Sequence, residues 1–291
     1  MVQENQKIVV TEYICKECGS HLCTLSNQKD ICAICGGHSF KVEEYTETRT
    51  MLLVPFSKTI NDARRNYRRK VLWNPLLPLS FKTRKKYQSI QKVFLPAFLV
   101  NANHSGQIVI LGGEKGKVVK NRSKLRELKK YDVCQSINLD YKNVLLNASS
   151  KVKNLYFDNI CNYNFKNIRN FTSHDITDAS YLLGNVSTEE IGKKGRKKIF
   201  DYSLLLAEQR VKHPMKRLKE DNSVVKFYDS KEVLIPVYLL SIEYKNHIYQ
   251  YFMNGVNGKS YINLPISIIS TCLLAIIIFS ILFFITFLFI K

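Results

Sequence analysis

The apolar residues of this chain are concentrated in one unbroken run. From Ile266 to Ile290 there is no charged residue and no proline, and most positions are Ile, Leu or Phe. A bilayer core is crossed by roughly 20 apolar helical residues, and this run has 25. A buried helix of a soluble protein would be expected to have a polar face. The pattern therefore predicts one transmembrane helix, with residues 265–291 as the anchor.

The position of this run predicts a topology. Only Lys291 follows it, and residues 1–7 lack the basic and apolar regions of a secretory signal. Basic residues before the span agree with the positive-inside rule. We therefore expect a tail-anchored, single-pass protein of the cell membrane whose N-terminal domain is cytosolic.

Shorter apolar segments predict strands. Residues 93–111 and 233–251 each contain an apolar stretch with Pro, an aromatic residue and Leu, then a turn and a second strand. An offset of 140 residues places Pro96 on Pro236. The first turn is expected at 103–106. These two strand–turn–strand units indicate either an internal duplication or a coincidence between two ordinary hairpins.

An amphipathic helix is predicted between Lys58 and Trp73. Its apolar positions, among them Ala63 and Tyr67, recur at helical spacing, and arginines fill the opposite face. From Lys58 to Lys92 there are eleven Lys or Arg residues and a single acid. We interpret part of this 58–92 segment as a face for an anionic partner. Its candidate residues are Arg64, Arg65, Arg68, Arg69, Lys70, Lys82, Arg84, Lys85 and Lys86.

Two Cys-x-x-Cys-Gly units lie in the first 50 residues, at Cys15, Cys18, Cys32 and Cys35. Each unit is typical of a zinc knuckle, in which a tight turn directs two thiolates at one point. Four thiolates complete a tetrahedral shell, so the predicted zinc is structural. Two redox Cys-x-x-Cys sites are the alternative, but neither has a strand-to-helix context. The nearby donors are not expected to be ligands: His21, Cys23 and His38.

Composition narrows the classes of partner. The formal net charge is +20, which favours anionic lipid headgroups, nucleic acid or acidic proteins. The eight cysteines are not arranged as a disulfide framework and indicate a reducing compartment. The expected architecture is α+β: a zinc ribbon at 1–50, a basic mixed α/β domain at 51–264 and the anchor.

Further stretches of the sequence carry a family resemblance beyond the two cysteine pairs. They are a Val-Pro-Phe strand, two strands of the form Pro-x-aromatic-Leu, and a closing Asn-Gly segment before the apolar run. In this chain the stretches are Val54-Pro55-Phe56, Phe94 to Leu99, Leu234 to Leu239, and Asn254 to Lys259.

With these motifs, nearly the whole chain resembles a family of uncharacterised bacterial zinc-ribbon membrane proteins. Members are often labelled primosomal helicase-like or TFIIB-type zinc ribbon-containing proteins. Asn257 departs from the family pattern, which usually has Thr there. The helicase label rests on the ribbon, and no nucleotide-binding loop accompanies it here. The resemblance implies a membrane-bound zinc-ribbon protein and not an ATPase.

The sequence is compatible with three classes of function. The first is a non-enzymatic, membrane-anchored binding or scaffold protein that contacts anionic headgroups and an unidentified protein partner. The second is nucleic-acid binding, in which Tyr67, Trp73, Phe81 and Tyr87 stack on bases. The alternative interpretation is that these aromatics are core residues and that the charges form a solvated face. The third, an enzyme, is disfavoured because the histidines are isolated and Asp175 is expected to cap a helix.

Overall fold

The computed structural model describes residues 8–25, 31–48, 51–83, 89–115 and 128–290. Three of the predicted basic-face residues, Arg84, Lys85 and Lys86, lie outside these ranges, as does Tyr87. The chain forms two compact units. Unit 1 comprises Met1–Ala97, Ser149–Asn185 and Val233–Lys291, and unit 2 comprises Phe98–Ala148 and Val186–Glu232.

The fold is a mixed α/β arrangement of eleven strands and five α-helices in the described residues. The strands are β1 (Ile8–Cys15), β2 (His21–Thr24), β3 (Phe40–Glu47), β4 (Leu52–Leu53), β5 (Gln91–Lys115), β6 (Leu128–Asn147), β7 (Arg169–Asn170), β8 (Ser180–Leu182), β9 (Met215–Tyr244), β10 (His247–Asn254) and β11 (Ser260–Ile262). The helices are α1 (Ile60–Leu72), α2 (Leu79–Lys82), α3 (Asn154–Ile160), α4 (Thr188–Arg210) and α5 (Ile268–Ile290).

The main sheet has the strand order β11-β10-β9-β5-β8-β2-β1-β3, and β4 pairs with β7 and β9 while β6 pairs with β5. The N-terminal strands therefore belong to the same sheet as later strands. Leu22 of β2 pairs with Leu182 of β8. The described residues of the predicted ribbon at 1–50 lie in unit 1, together with three later segments. A ribbon of this size buries little apolar surface by itself, and its pairing with β8 increases the apolar surface that is buried.

Helix α1 confirms the predicted amphipathic helix. Thr59 accepts a hydrogen bond from the Asp62 backbone, and the Asp62 side chain accepts one from Thr59, which forms a capping box. Ala63, Tyr67 and Val71 make up its buried face. They join a core cluster that also contains Leu77, Phe81, Tyr238 and Tyr251.

The predicted turn at 103–106 is wrong, because β5 continues through these residues as one strand of 25 residues. The polar side chains that resembled a turn are bonded within unit 2, since Asn103 Nδ2 donates to Asn138 Oδ1 at 3.3 Å. Gly106 is needed for close packing, because a Cβ there would lie 2.5 Å from the Asn222 carbonyl oxygen. The segment 93–111 is therefore not a strand–turn–strand unit.

The second predicted unit, residues 233–251, does contain a hairpin. Tyr244 pairs with His247 across the β9–β10 turn, and the two central residues, Lys245 and Asn246, have φ values of 50° and 61°. Such left-handed residues are typical of two-residue hairpin turns. The two segments that align in sequence thus differ in structure.

The closing Asn-Gly segment has a structural role. Asn254 is fully buried, and its Oδ1 accepts the backbone N–H of Val256 at 2.8 Å. Its Nδ2 donates to the Ile160 carbonyl oxygen at 2.9 Å. A Cβ at Gly255 would lie 2.5 Å from the Phe56 ring. These contacts explain why this turn uses Asn followed by Gly.

Helix α5 has no buried face. Four consecutive residues, 276–279, are 60, 54, 50 and 72 % exposed, and at 100° per residue they sample the whole circumference. Its 23 residues span about 35 Å, against a bilayer core of about 30 Å. In the described side chains, α5 is therefore unlike a buried core helix, and it is long and apolar enough to cross a membrane.

Two glycines of α4 provide a test of packing in unit 2. A Cβ at Gly195 would lie 2.5 Å from Leu146 Cδ1 and 2.9 Å from the Phe227 ring. At Gly192 the nearest atom, on Arg196, would be 3.6 Å away. The first glycine is therefore required by packing and the second is not.

We expect Gly192→Ala to raise the free energy of unfolding by about 1 kcal/mol, because alanine favours the helix. Gly195→Ala should lower it by roughly 1–3 kcal/mol, since the methyl group overpacks the contact with Leu146. Chemical denaturation of the detergent-solubilised chain measures both changes. Equal stabilisation by both substitutions would contradict the packing described for α4.

Candidate metal centre

The two Cys-x-x-Cys-Gly units adopt the same backbone turn. The Gly19 N–H donates to the Cys15 carbonyl oxygen, and the Gly36 N–H donates to the Cys32 carbonyl oxygen, each at 2.8 Å. Gly19 and Gly36 have φ values of 63° and 81°, a region that favours glycine. Each turn consequently directs its two thiols toward the same side.

The four thiols converge on one point. The Sγ atoms of Cys15, Cys18, Cys32 and Cys35 all lie within 4.8 Å of one another. Across the two turns, Cys15 Sγ is 3.5 Å from Cys35 Sγ, and Cys18 Sγ is 3.8 Å from Cys32 Sγ. A tetrahedral zinc ion with Zn–S bonds of about 2.3 Å requires sulfur atoms about 3.8 Å apart. The cluster is therefore a candidate metal site whose dimensions fit zinc.

Burial and hydrogen bonds set the protonation of these thiols. Burial acts to raise the pKa of Cys18, but hydrogen bonds from the side chain and backbone of Ser20 outweigh it and lower the pKa. Burial raises the pKa of Cys32 and, more strongly, that of Cys35. A metal ion must displace the protons of these thiols, so its affinity should fall as the pH falls.

The remaining nearby donors, His21, Cys23 and His38, are not part of the cluster. His21 Nδ1 lies 2.6 Å from Glu12 Oε1, and Cys23 is buried in the core cluster formed with Phe94 and Tyr181. The backbone N–H of His38 donates to Glu17 at 3.2 Å. In the described residues, the four cysteines alone form a cluster that could hold a metal ion.

Side chains from later strands hold the second cysteine turn in place. The Ser241 hydroxyl donates to the Ile34 carbonyl oxygen at 2.7 Å, and Gln250 Nε2 donates to the same oxygen at 2.6 Å. Gln91 Nε2 donates to the Ile31 carbonyl oxygen at 2.9 Å. These residues were not predicted from the sequence, because each contact joins segments far apart in the chain.

The first cysteine turn has a separate support. Lys151 Nζ donates to the Cys18 carbonyl oxygen at 2.7 Å, and Ser20 Oγ lies 3.1 Å from Cys18 Sγ and 3.3 Å from Cys32 Sγ. The second turn gains one bond of its own, because the Gly37 N–H donates to Cys35 Sγ at 3.3 Å. Such contacts orient metal ligands.

A cleft of about 600 Å³ adjoins the cysteine cluster. Its lining includes Glu17, Cys35 and His38 from the ribbon, and Glu243 and Ile248 from β9 and β10. The two glutamates are exposed, and Ile248 is 50 % exposed. The cleft thus combines acidic groups with an accessible apolar side chain.

The structure separates the predicted basic face into two groups. Some residues contact the protein itself: Lys70 Nζ donates to the Ser260 carbonyl oxygen at 2.6 Å, Lys82 Nζ to that of Leu72 at 3.4 Å, and Arg64 to Asn61 at 3.3 Å. Among the described residues of this face, Arg65, Arg68 and Arg69 are exposed.

The aromatic residues of the same segment also differ in exposure. Tyr67 and Phe81 are 2 % and 1 % exposed and belong to the core of unit 1. Trp73 is 83 % exposed. Of the described aromatics that were proposed to stack on bases, Trp73 alone is accessible.

A buried polar network in unit 2 was not anticipated. His104 is fully buried, and its Nδ1 and Nε2 lie 2.7 Å and 2.8 Å from the hydroxyls of Ser203 and Ser223. Burial lowers the pKa of His104, while Asp221 opposes this shift. Asp175 was predicted to cap a helix, but Thr172 is the N-cap of a short 3-10 turn and Asp175 accepts the Thr172 backbone N–H as the third residue of that turn.

The chain is distantly similar to an uncharacterised protein. The chain is 23 % identical over 222 residues to YdjG, an uncharacterised protein of Bacillus subtilis (strain 168). The alignment covers 74 % of this chain but 63 % of the relative, so the chain matches less than two thirds of that protein's length. No protein-family model matches the chain, and no solved structure does. The resemblance to zinc-ribbon membrane proteins therefore stays a prediction.

Substitution of one cysteine tests the metal centre. We expect Cys32→Ser to lose the bound metal, because three thiolates and a hydroxyl make a much weaker zinc site. Cys134→Ser is the matched control, since Cys134 is exposed and lies outside the cluster. Metal content is measured by mass spectrometry of purified chain, with about one zinc per chain expected for the control. Unchanged metal content in Cys32→Ser would refute the site.

Proposed function

We propose that the protein is a non-enzymatic, membrane-anchored scaffold whose zinc-stabilised ribbon presents a docking site for another protein. The observation that carries this proposal is the convergence of four thiols within 4.8 Å. A zinc ion held by four thiolates has no open position for a substrate or water. The metal would therefore stabilise the fold rather than react.

Membrane attachment is the second part of the proposal. Helix α5 can cross a bilayer by length and composition, and an exposed apolar helix of this kind is not stable in water. We propose that the domain side lies in the cytosol, supported by basic residues before the span. The net charge of +20 favours contact with anionic headgroups.

The cleft beside the cysteine cluster is the proposed docking site. Its exposed glutamates, Glu17 and Glu243, are complementary to a basic segment of a partner, and Ile248 offers an apolar contact. Acidic groups in this position also disfavour nucleic acid at the ribbon. Nucleic-acid binding through the basic face is the alternative function, and Trp73 is the exposed aromatic available to it.

Crosslinking in intact membranes tests the docking site. Ile248→Glu should abolish crosslinks to a specific partner, because a charge replaces the apolar contact without disturbing the core. The matched control is Val224→Glu, since Val224 is 55 % exposed on β9 in unit 2. We expect the control to retain the partner. The cleft would be ruled out as the docking site if both variants lost the crosslinks, or if both kept them.

Charged substitutions in α5 test the anchor. Each arginine near the helix centre should oppose insertion by about 2.5–3.5 kcal/mol. We therefore expect Ile277→Arg with Ile281→Arg to release the chain from membranes at alkaline pH. The control, Ile277→Leu with Ile281→Leu, should remain in the membrane pellet. Release of the control under the same conditions would contradict a membrane-spanning role for α5.

A further inference from the structure

We propose that residues 72–79, the corner between α1 and α2, form a second membrane contact beside α5. In this arrangement Leu72, Trp73 and Leu79 insert at the boundary between headgroups and acyl chains. The neighbouring basic side chains meet anionic headgroups. This inference rests on the proposed membrane anchoring and identifies the surface that contacts the lipid.

The corner exposes three large apolar side chains. Trp73 is 83 % exposed, Leu79 is 77 % exposed and Leu72 is 52 % exposed. Tryptophan combines an apolar ring with a polar N–H and is enriched at membrane interfaces. A soluble surface rarely groups such residues without a partner.

The exposure follows from an ordered turn. The backbone N–H of Leu76 donates to Asn74 Oδ1 at 3.0 Å, and that of Trp73 donates to the Arg69 carbonyl oxygen at 3.2 Å. Leu77 is 2 % exposed and packs into the core cluster of unit 1. Because Leu77 points inward, the corner is fixed with Trp73 and Leu79 on its outer side.

The corner is joined to the start of α5. The Ser267 N–H donates to the Leu76 carbonyl oxygen at 2.9 Å. Leu264 packs against the core cluster that contains Leu77. The first residues of a spanning helix lie near the headgroups, so this hydrogen bond places the corner at the same depth.

The exposed apolar surface continues from the corner into α5. Ile266, Ile268 and Ile269 are 72, 80 and 75 % exposed. These residues and the corner flank the same Ser267–Leu76 hydrogen bond. Continuity with the anchor favours lipid as the occupant of the corner.

Charge next to the corner has the sign required by an anionic membrane. Arg69 is exposed in the last turn of α1, and Lys82 Nζ reaches the Leu72 carbonyl oxygen at 3.4 Å. Asp62 is the single acid from Lys58 to Lys92. Basic residues beside an inserted apolar side chain attract anionic headgroups, and added salt weakens this attraction.

A single-stranded nucleic acid is less well matched to this surface. Base stacking uses several accessible aromatic rings, but Tyr67 and Phe81 are buried. The other large exposed side chains of the corner are Leu72 and Leu79, which are not aromatic. The described residues of the corner therefore favour lipid over nucleic acid.

Trp73 is the sole tryptophan of the chain, so intrinsic fluorescence reports on the corner directly. The full-length chain is reconstituted into vesicles of phosphatidylcholine with or without phosphatidylglycerol, and with brominated acyl chains. In anionic vesicles we expect emission shifted to shorter wavelength, quenching by the bromines and protection from iodide. Neutral vesicles should give weaker quenching by the bromines.

Two matched charge reversals separate the corner from a general charge effect. Arg69→Glu should reduce quenching of Trp73 by brominated lipid, because it removes a cation beside the corner. Lys197→Glu changes the net charge equally at an exposed position of α4 and should leave quenching unchanged. Equal effects of the two variants would overturn the role assigned to Arg69.

Alkaline extraction of the same vesicles distinguishes the two proposals. If the chain is extracted, the anchoring proposal fails and this inference fails with it. If the chain is retained but Trp73 is open to iodide and unaffected by bromines, the corner inference alone is overturned. Quenching of Trp73 by an added single-stranded oligonucleotide, without quenching by brominated lipid, would assign the corner to nucleic acid instead.

Discussion

Four thiols that converge within 4.8 Å can be deprotonated together only if a cation neutralises them. Burial already raises the pKa of Cys32 and Cys35, which makes isolated thiolates unfavourable there. A divalent metal removes this penalty by bonding to all four sulfurs. Metal binding would therefore hold the two cysteine turns together, because a ribbon of this size buries little apolar surface by itself.

Metal binding by the four cysteines would also affect the structure outside the ribbon. Carbonyl oxygens of the second cysteine turn accept hydrogen bonds from Gln91, Ser241 and Gln250, which lie on the central strands of unit 1. Strand β2 pairs with β8. Metal binding and the order of this sheet are therefore expected to be coupled. The adjoining cleft takes its shape from both parts, so the metal would also maintain the proposed docking surface.

The two proposed membrane contacts, α5 and the corner at 72–79, obey a different constraint. Helix α5 is apolar around its whole circumference, whereas α1 is apolar on one face, and that face packs against the core of unit 1. Leu72, Trp73 and Leu79 remain outside that core. Their exposure is a tertiary property, because Leu77 takes the inward position between them. A lipid interface accounts for both the exposed helix and the exposed corner.

The sequence by itself determined the features that depend on local spacing. The Cys-x-x-Cys-Gly turns, helix α1, the β9–β10 hairpin and the apolar helix α5 each follow from neighbouring residues. Tertiary structure decided the path of β5, where buried hydrogen bonds to His104 replace the expected turn. It also decided which basic residues are exposed and which polar side chains hold the cysteine turns. These contacts join residues far apart in the chain, so no local pattern specifies them.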